Sequence, residues 1–279
     1  MKNPYKPMSV RIQDIIVENE TRDIKTFKIS FVDENDEKGF SFLPGQFAEL
    51  SIFGIGECPI GIASSPTENG YLLFTVKRAG VVTTKLHQAE IGENIGLRGP
   101  LGNTYPFDIM EGKNILIVGG GFAFTTLRST IKYILDSNNR KRFKDLTVIY
   151  GARNPGELIY KSELWLWEKD GSIDVHITVD KGDKEWKRLE GYVPNVLKDV
   201  APNSKDTIAL VCGPPIMIKF TLPVLKDLGF NTASIFLSLE MRMKCGIGKC
   251  GRCNIGHKYV CKDGPVFSFA ELQGLPNEY

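Results

Sequence analysis

Hydrophobic and polar positions along the first hundred residues alternate in part with the period-2 pattern of β-strands. Four runs are rich in β-branched and aromatic residues, and turn signals such as Asn69-Gly70 separate them. The predicted strands cover residues 11–17, 24–31, 47–52 and 71–77. Several short strands separated by such turn signals predict an antiparallel barrel or sandwich over residues 1–109.

The pattern changes after residue 109, where continuous apolar runs alternate with helical periodicity. Residues 115–118 are all apolar and lead into three glycines, and similar runs cover residues 146–150, 173–179 and 208–212. The predicted helices cover residues 126–135, 158–168, 192–199 and 216–228. Buried strands alternating with helices are typical of a parallel sheet covered on both faces. Residues 110–234 are therefore predicted to form an α/β domain.

Residues 235–279 form a third zone, in which periodicity stops and glycines alternate with cysteines. So short a segment cannot build much of a hydrophobic core, and a bound cofactor must organise it. The chain length of 279 residues fits two ordinary domains with such an appendage.

Composition limits the kinds of partner and the cellular compartment that we expect for this chain. The formal net charge is +2, which gives no basic field for nucleic acid. The first ten residues lack the apolar core of a signal peptide, and the longest apolar run is too short to span a bilayer. We therefore expect no nucleic-acid or membrane partner and a cytoplasmic location, where thiols stay reduced.

Four of the six cysteines crowd together near the carboxyl end. Cys245, Cys250, Cys253 and Cys261 follow the order C-x4-C-x2-C…C, which is the plant-type [2Fe–2S] spacing. One tight loop must present three thiolates from different directions, and the glycines between them allow unusual φ/ψ values. The spacing predicts that these four cysteines bind a [2Fe–2S] cluster.

Two other interpretations of this cluster stay open. Structural zinc also takes four cysteines, although zinc ribbons generally use two short pairs on separate knuckles. A ligand set that includes His257 is the other, and four cysteines make it unnecessary.

Two features of residues 110–234 suggest ligand contact. Gly119, Gly120 and Gly121 link a buried strand to a helix, where a phosphate can approach the backbone, although such glycines also serve simple packing. Another strand ends at Cys212, followed by Gly213 and two prolines, at the sheet edge where ligands bind in open α/β folds. A buried packing role for Cys212 is the alternative.

Taken in order, these segments resemble the ferredoxin–NADP reductase superfamily across nearly the whole chain. The chain is most similar to its [2Fe–2S] electron-transfer subunits, namely cytoplasmic hydrogenase gamma, anaerobic sulfite reductase B and the dihydroorotate dehydrogenase electron-transfer subunit. The matching stretches are residues 44–47, 59–65, 99–103, 150–153, 212–215 and 243–267.

The resemblance implies an FAD-binding β-barrel over 1–109, an NAD(P)-binding-like α/β domain over 110–234 and a [2Fe–2S] lobe over 235–279. It places the flavin contacts on two stretches of the barrel and on the strand between them. These residues are Cys58, Pro59, Ile60, Gly61 and Ile62, then Val76, Lys77 and Arg78, then Gly80, Val82, Thr83 and Thr84. It places the nicotinamide nucleotide at Gly119, Gly120, Gly121, Arg153, Cys212, Gly213 and Pro214.

The chain departs from the family pattern at two places. Cys58 and Gly61 stand where relatives have arginine and serine. We therefore expect Lys77 or Arg78 to replace that arginine as the cation that binds the flavin phosphate. Residues 123, 125 and 126 are Ala, Thr and Thr where relatives have Gly, Ala and Pro. An added methyl at Ala123 narrows the approach of a pyrophosphate, so we expect nicotinamide binding to differ from that of relatives or to be lost.

The implied function is an electron relay that belongs to a larger complex. NAD(P)H would reduce FAD, and electrons would pass through the [2Fe–2S] cluster to a partner redox subunit. No general acid or base is demanded, so no catalytic residue is assigned, and Cys212 is expected to contact the nicotinamide or flavin by packing. Two alternatives stay open: a relay between proteins that no longer binds NAD(P)H, and a zinc-stabilised interaction module. Electron direction, the choice of NAD or NADP, and the final acceptor are also open.

Overall fold

The computed structural model of the chain describes residues 3–276. Its amino-terminal part is a six-stranded antiparallel sheet with three short helices. The strands are β1 (Met8–Val17), β2 (Ile24–Phe31), β3 (Phe47–Ile52), β4 (Gly56–Gly61), β5 (Leu72–Lys77) and β6 (Asn94–Leu101). The helices are α1 (Glu34–Gly39), α2 (Val81–Leu86) and α3 (Phe107–Met110). The strand order is β4-β3-β6-β1-β2-β5, and β4 also lies beside β5, which makes the sheet barrel-like.

The interior of this sheet follows from the period-2 pattern. Val10 and Ile12 of β1 and Phe27 and Ile29 of β2 point into one apolar core, because alternate strand residues face the same side. Strands β4 and β6 lie outside the four predicted strands. Both contain glycine and proline, which break a strand pattern, and Pro59 is tolerated because β4 is an edge strand of the hydrogen-bonded sheet.

The second layer is a seven-stranded sheet in the order β10-β9-β8-β7-β11-β12-β15. All neighbours are parallel except β15, which runs antiparallel to β12. These strands are β7 (Asn114–Gly120), β8 (Leu146–Ala152), β9 (Asp174–Val179), β10 (Leu189–Glu190), β11 (Thr207–Cys212), β12 (Ile235–Ser238) and β15 (Val266–Ser268).

Strand β7 explains why the sheet is covered on both faces. Ile115 and Ile117 pack into one core, whereas Leu116 and Val118 pack into another, so every residue of the run is buried. The covering helices are α4 (Phe124–Leu135) and α5 (Lys161–Trp167) on the first side and α6 (Val193–Val200) and α7 (Pro215–Asp227) on the second. The predicted fold class, a β-barrel followed by a parallel α/β layer, is confirmed.

Helix α5 differs most from its predicted range of 158–168. A 3₁₀ turn occupies Pro155–Glu157, and Tyr160 has φ +55°. A helix cannot run through a left-handed residue, so α5 begins only at Lys161.

The cysteine-rich segment leaves the second sheet after β12 and returns to it at β15. Between these strands lie the hairpin β13 (Asn254–Ile255) and β14 (Lys258–Tyr259) and the short helix α8 (Val260–Asp263), and helix α9 (Phe269–Leu272) follows β15. The three-domain division stays a prediction, and its residues 1, 2 and 277–279 lie outside the described part. Among the helices of residues 3–276, none combines the length and apolar character needed to cross a membrane.

Candidate cofactor cleft and cysteine loop

A cleft of about 1920 Å³ lies between the barrel-like sheet and the carboxyl ends of β7, β8 and β11. Its lining continues along α7 and the cysteine-rich segment, so the volume exceeds the roughly 300–1,000 Å³ that ligand pockets commonly enclose. Nearly half of the predicted cofactor contacts lie on its wall. They are Pro59, Ile60, Gly61, Lys77, Gly121, Arg153, Cys212, Gly213 and Pro214.

The three glycines after β7 have different surroundings. A Cβ on Gly119 would lie 2.4 Å from the Phe124 ring, and one on Gly120 would lie 2.3 Å from the sulfur of Met217. These two glycines therefore let helices α4 and α7 pack against the strand. Gly121 has φ +55° and nothing within 4 Å of a Cβ, so it is the glycine of this turn that opens on the cleft.

Cys212 ends β11 beneath the cleft. Burial raises the pKa of its thiol to about 11, so the thiol is neutral at pH 7. The Thr126 hydroxyl lies 3.6 Å from its sulfur, and the thiol donates to the carbonyl of Ser238 at 3.5 Å. A neutral, enclosed thiol is suited to packing against a ring and unsuited to nucleophilic attack.

The start of β4 is acidic. Burial, reinforced by the carboxyls of Glu49 and Glu57, raises the pKa of Cys58 to about 12. Of the two cations expected to replace arginine, Lys77 lines the cleft with its Nζ 3.7 Å from a carboxylate oxygen of Asp23. Arg78 instead lines a separate cavity of about 260 Å³.

Other predicted flavin contacts lie away from the cleft wall. Ile62 and Val76 are buried in the barrel core. The Thr83 hydroxyl accepts from the backbone N–H groups of Ala79 and Gly80, at 2.9 Å each, and donates to the Gly80 carbonyl. That hydroxyl is engaged by its own turn at the start of α2. Val82 lies on the same turn, while Thr84 lines the smaller cavity with Arg78.

The four clustered cysteines lie as two neighbouring pairs. The Cys250 thiol donates to the sulfur of Cys245, and the Cys261 thiol donates to the sulfur of Cys253. Within residues 3–276, no three His, Cys, Asp or Glu side chains converge as a mononuclear metal site requires. Binding by two cysteines at each of two irons is the arrangement of a [2Fe–2S] cluster, so two thiol pairs suit a binuclear centre.

Backbone N–H groups of the loop point at these sulfurs. Lys249 and Cys250 donate to Cys245 Sγ at 3.2 and 3.4 Å, and Gly248 donates to Cys261 Sγ at 3.1 Å. Burial opposes ionisation of Cys245, but the N–H groups of Ile247, Lys249 and Cys250, together with the Cys250 thiol, lower its pKa to about 6. Gly246, Gly248 and Gly251 all have positive φ, near +70°, as predicted for a loop that turns its amides inward. The donor set therefore fits a thiolate-bound cluster.

Sequence reasoning missed how the barrel holds this loop. Arg98 of β6, with a side chain only 4% exposed, donates to the carbonyl of Cys245 at 3.1 Å and pairs with Glu57 at 2.7 Å. Asn103 donates to the carbonyls of Asp263 and Val266 and accepts from the Val266 N–H. The stretch 99–103 had been singled out by resemblance alone, and nothing in its spacing indicates a contact with the cysteine segment.

Two stretches of the chain match models of known protein families, and these matches define the class of protein. Residues 117–222 match the oxidoreductase NAD-binding domain, and residues 240–273 match the iron–sulfur cluster binding domain of dihydroorotate dehydrogenase B. With the barrel-like sheet, these matches define a flavoprotein-type oxidoreductase that carries an iron–sulfur domain.

Two relatives then specify the family. The chain is 37% identical to sulfhydrogenase 1 subunit gamma of Pyrococcus furiosus, over 98% of this chain and 94% of that protein. It is 35% identical to a probable dihydroorotate dehydrogenase B (NAD(+)) electron transfer subunit of Thermococcus kodakarensis, over 91% and 94%. The chain belongs to this family of iron–sulfur electron-transfer subunits with a ferredoxin–NADP reductase fold.

Solved structures agree with this assignment. The NADH-dependent reduced ferredoxin–NADP oxidoreductase superimposes with a TM-score of 0.74 at 27% identity, covering 100% of this chain and 95% of that one. A ferredoxin–NADP⁺ reductase from Neisseria gonorrhoeae, at 20% identity, covers 83% of this chain and 98% of its own with a TM-score of 0.70, which supports the fold.

Proposed function

We propose that the chain is an electron-transfer flavoprotein subunit that passes electrons between NAD(P)H, FAD and a [2Fe–2S] cluster to a partner redox subunit. One observation carries the proposal: the barrel-like sheet adjoins both sites, because β4 lines the cleft and β6 holds the cysteine loop through Arg98. When bound, FAD exchanges a hydride for single electrons and the cluster carries them one at a time.

The residues of the chain bind and orient these groups. Pro59, Ile60 and Gly61 present an edge strand to the flavin, and Lys77 supplies a cation at the cleft wall. On the opposite wall, Gly121 and Arg153 would hold the nicotinamide nucleotide, since an open glycine turn and a guanidinium both favour phosphate. The neutral Cys212 thiol provides packing and exchanges no proton at pH 7.

The relatives support a place in a larger complex. A sulfhydrogenase gamma subunit and a dihydroorotate dehydrogenase electron transfer subunit are each one chain of a multi-subunit enzyme by name. We place the partner in the hydrogenase or sulfite-reductase class, and the complex in the cytoplasm, which suits six cysteines without disulfides among the described residues.

Anaerobic titration of the FAD- and cluster-loaded chain with NADH and NADPH tests the proposal. Bleaching of the flavin absorbance, followed by an electron-paramagnetic-resonance signal of the reduced cluster, is the expected result. A colourless protein that contains one zinc would refute it and favour the interaction module. Arg153→Ala is expected to weaken nucleotide binding about tenfold. Arg188→Ala is the control, because Arg188 pairs with Glu168 and is absent from the cleft lining.

A second candidate is the relay that does not use nicotinamide. Ala123 and Thr126 both line the cleft at the turn where relatives have glycine and proline, so its shape differs from the family pattern. This version would be favoured if neither NADH nor NADPH bleaches the flavin absorbance and a reduced partner protein bleaches it.

A further inference from the structure

Gly61 and Thr126 meet across the cleft floor. A Cβ built on Gly61 would lie 2.3 Å from Cγ2 of Thr126, closer than real carbon atoms approach. Gly61 is the last residue of the barrel strand β4, and Thr126 lies in the first turn of α4 in the second layer. The space that a side chain at position 61 would occupy is therefore filled by the threonine methyl.

The other branch of Thr126 points to the second layer. Its hydroxyl lies 3.3 Å from the carbonyl of Ala123 and 3.6 Å from Cys212 Sγ. Cys212 in turn reaches the carbonyl of Ser238 at the end of β12. The Thr126 side chain thus touches the barrel with its methyl and the sheet edge with its hydroxyl. The residues involved all line the cleft: Gly61, Ala123, Thr126, Cys212 and Ser238.

We propose that Thr126 is a positioning residue for the flavin. Its side chain sets the separation of β4 from Cys212. Because β4 has no side chain with a hydroxyl group, Thr126 also supplies one to the flavin site from α4. This inference rests on the proposed function, because it takes β4 and Cys212 as the two walls of the flavin site. Positions 61 and 126 are then coupled in size: a residue larger than glycine at 61 requires one smaller than threonine at 126.

A role limited to helix geometry is the competing explanation. A threonine hydroxyl commonly bonds a backbone carbonyl three or four residues earlier, as here to Ala123. That explanation accounts for the hydroxyl but not for the methyl against Gly61, and it predicts no coupling between the two positions.

A double-mutant cycle tests the coupling. Gly61→Ala and Gly61→Ser are each expected to raise the FAD dissociation constant about tenfold and to lower the unfolding temperature of the FAD-free chain. Adding Thr126→Ala is expected to restore both values most of the way. Single variants as good as wild type, or double variants no better than the Gly61 singles, would overturn the proposal.

Isosteric changes separate the two branches. Thr126→Val keeps the methyl on Gly61 and removes the hydroxyl, so we expect retained FAD affinity with a shifted flavin midpoint potential and visible spectrum. Thr126→Ser keeps the hydroxyl and removes the methyl, so we expect the wild-type potential with weaker FAD binding. Thr130→Val is the control, because Thr130 lies on the same helix and its buried hydroxyl has no partner in the described residues.

The outcomes keep this inference apart from the proposed function. If the wild-type chain binds no FAD, the proposed function fails, while the unfolding temperatures still measure the coupling. If Thr126→Val behaves as Thr130→Val does in potential and spectrum, the hydroxyl has no effect on the flavin and the positioning role is wrong.

Discussion

At the scale of the residue, identical side chains have opposite chemistry because their surroundings differ. Burial raises the pKa of Cys212 to about 11, whereas for Cys245 three backbone N–H groups outweigh burial and lower the pKa to about 6. The first thiol stays protonated at pH 7 and the second ionises. A thiolate is the form that binds iron, so Cys245 is preset for a metal, whereas burial raises the pKa of Cys261, another predicted ligand, to about 12.

Alkylation of the cluster-free chain tests this difference. At pH 8, iodoacetamide is expected to modify Cys245 and the exposed Cys250 within minutes and to leave Cys212 unmodified, because Cys212 is both buried and neutral. Mass spectrometry of the digested protein measures each site. Modification of Cys212 as fast as Cys250 would contradict the assignment.

The contact between Arg98 and the cysteine loop is a second residue-scale prediction. Arg98→Met leaves Glu57 without its cation and the Cys245 carbonyl without its donor, so we expect a loss of about 2–4 kcal/mol in the free energy of unfolding and faster loss of the cluster. Urea unfolding and visible absorbance measure the two effects. Arg142→Met, which breaks the more exposed pair with Glu111, is expected to cost less than about 1 kcal/mol.

At the scale of the element, helix α4 connects the two layers. Its first turn carries Thr126, and Arg128 two residues on is buried between the carboxylates of Glu68 and Glu163, at 2.9 and 2.6 Å. Arg128 also donates to the carbonyl of Ala63 at 2.8 Å. Because Glu68 and Ala63 follow β4, this arginine ties the helix to the barrel beside the cleft.

The pair of Glu68 and Arg128 predicts a specific pH dependence. Burial opposes ionisation of Glu68, but hydrogen bonds from Arg128 outweigh it and lower the pKa below 4.5. Its stabilising contribution is therefore present above pH 4.5 and is lost as the pH falls through the lower, folded-state pKa. Glu68→Gln is expected to cost about 1–3 kcal/mol at pH 7 and progressively less below about pH 4.

Urea unfolding of both proteins at several pH values measures this trend. Glu111→Gln serves as the matched control, because it removes a carboxylate from the more exposed pair with Arg142 and is expected to change stability little at any pH. An equal deficit for Glu68→Gln at pH 7 and pH 3 would contradict the linkage.

At the scale of the whole molecule, the cysteine-rich segment between β12 and β15 (residues 239–265) is held from two sides. Strands β12 and β15 anchor its ends in the seven-stranded sheet, and Arg98 and Asn103 hold it from the barrel-like sheet. Buried Ile255 and Val260 also join the apolar core beneath it. We therefore expect the segment to keep this framework without the metal, unlike a zinc finger, which unfolds without it, so the expectation that a cofactor must organise the whole segment is too strong.

Removing the cluster should loosen the loop and spare its framework. In the chelated protein, hydrogen–deuterium exchange is expected to rise at residues 245–253, where amides point at the sulfurs, and to stay slow in β12 and β15. Mass spectrometry of peptides from both states measures the exchange. Unfolding of the seven-stranded sheet on chelation would contradict this division.

Much of the fold was predictable because its signals are local. The apolar run of β7 and the spacing of Cys245, Cys250 and Cys253 act within a few residues, so the parallel layer and the cysteine loop are visible along the chain. Strands β4 and β6 were missed, because glycine and proline obscure a strand whose pairing is supplied by its neighbours.

The sequence by itself determined the order of layers, the four clustered thiols and the glycine turn, since each depends on residue type and short spacing. Only the tertiary structure decided how these parts meet. Arg98 and Cys245 lie 147 residues apart, and Asn103 and Val266 lie 163 apart, so no local pattern joins them. The same holds for the methyl of Thr126 against Gly61, because whether two distant side chains compete for one space depends on packing that composition and periodicity do not encode.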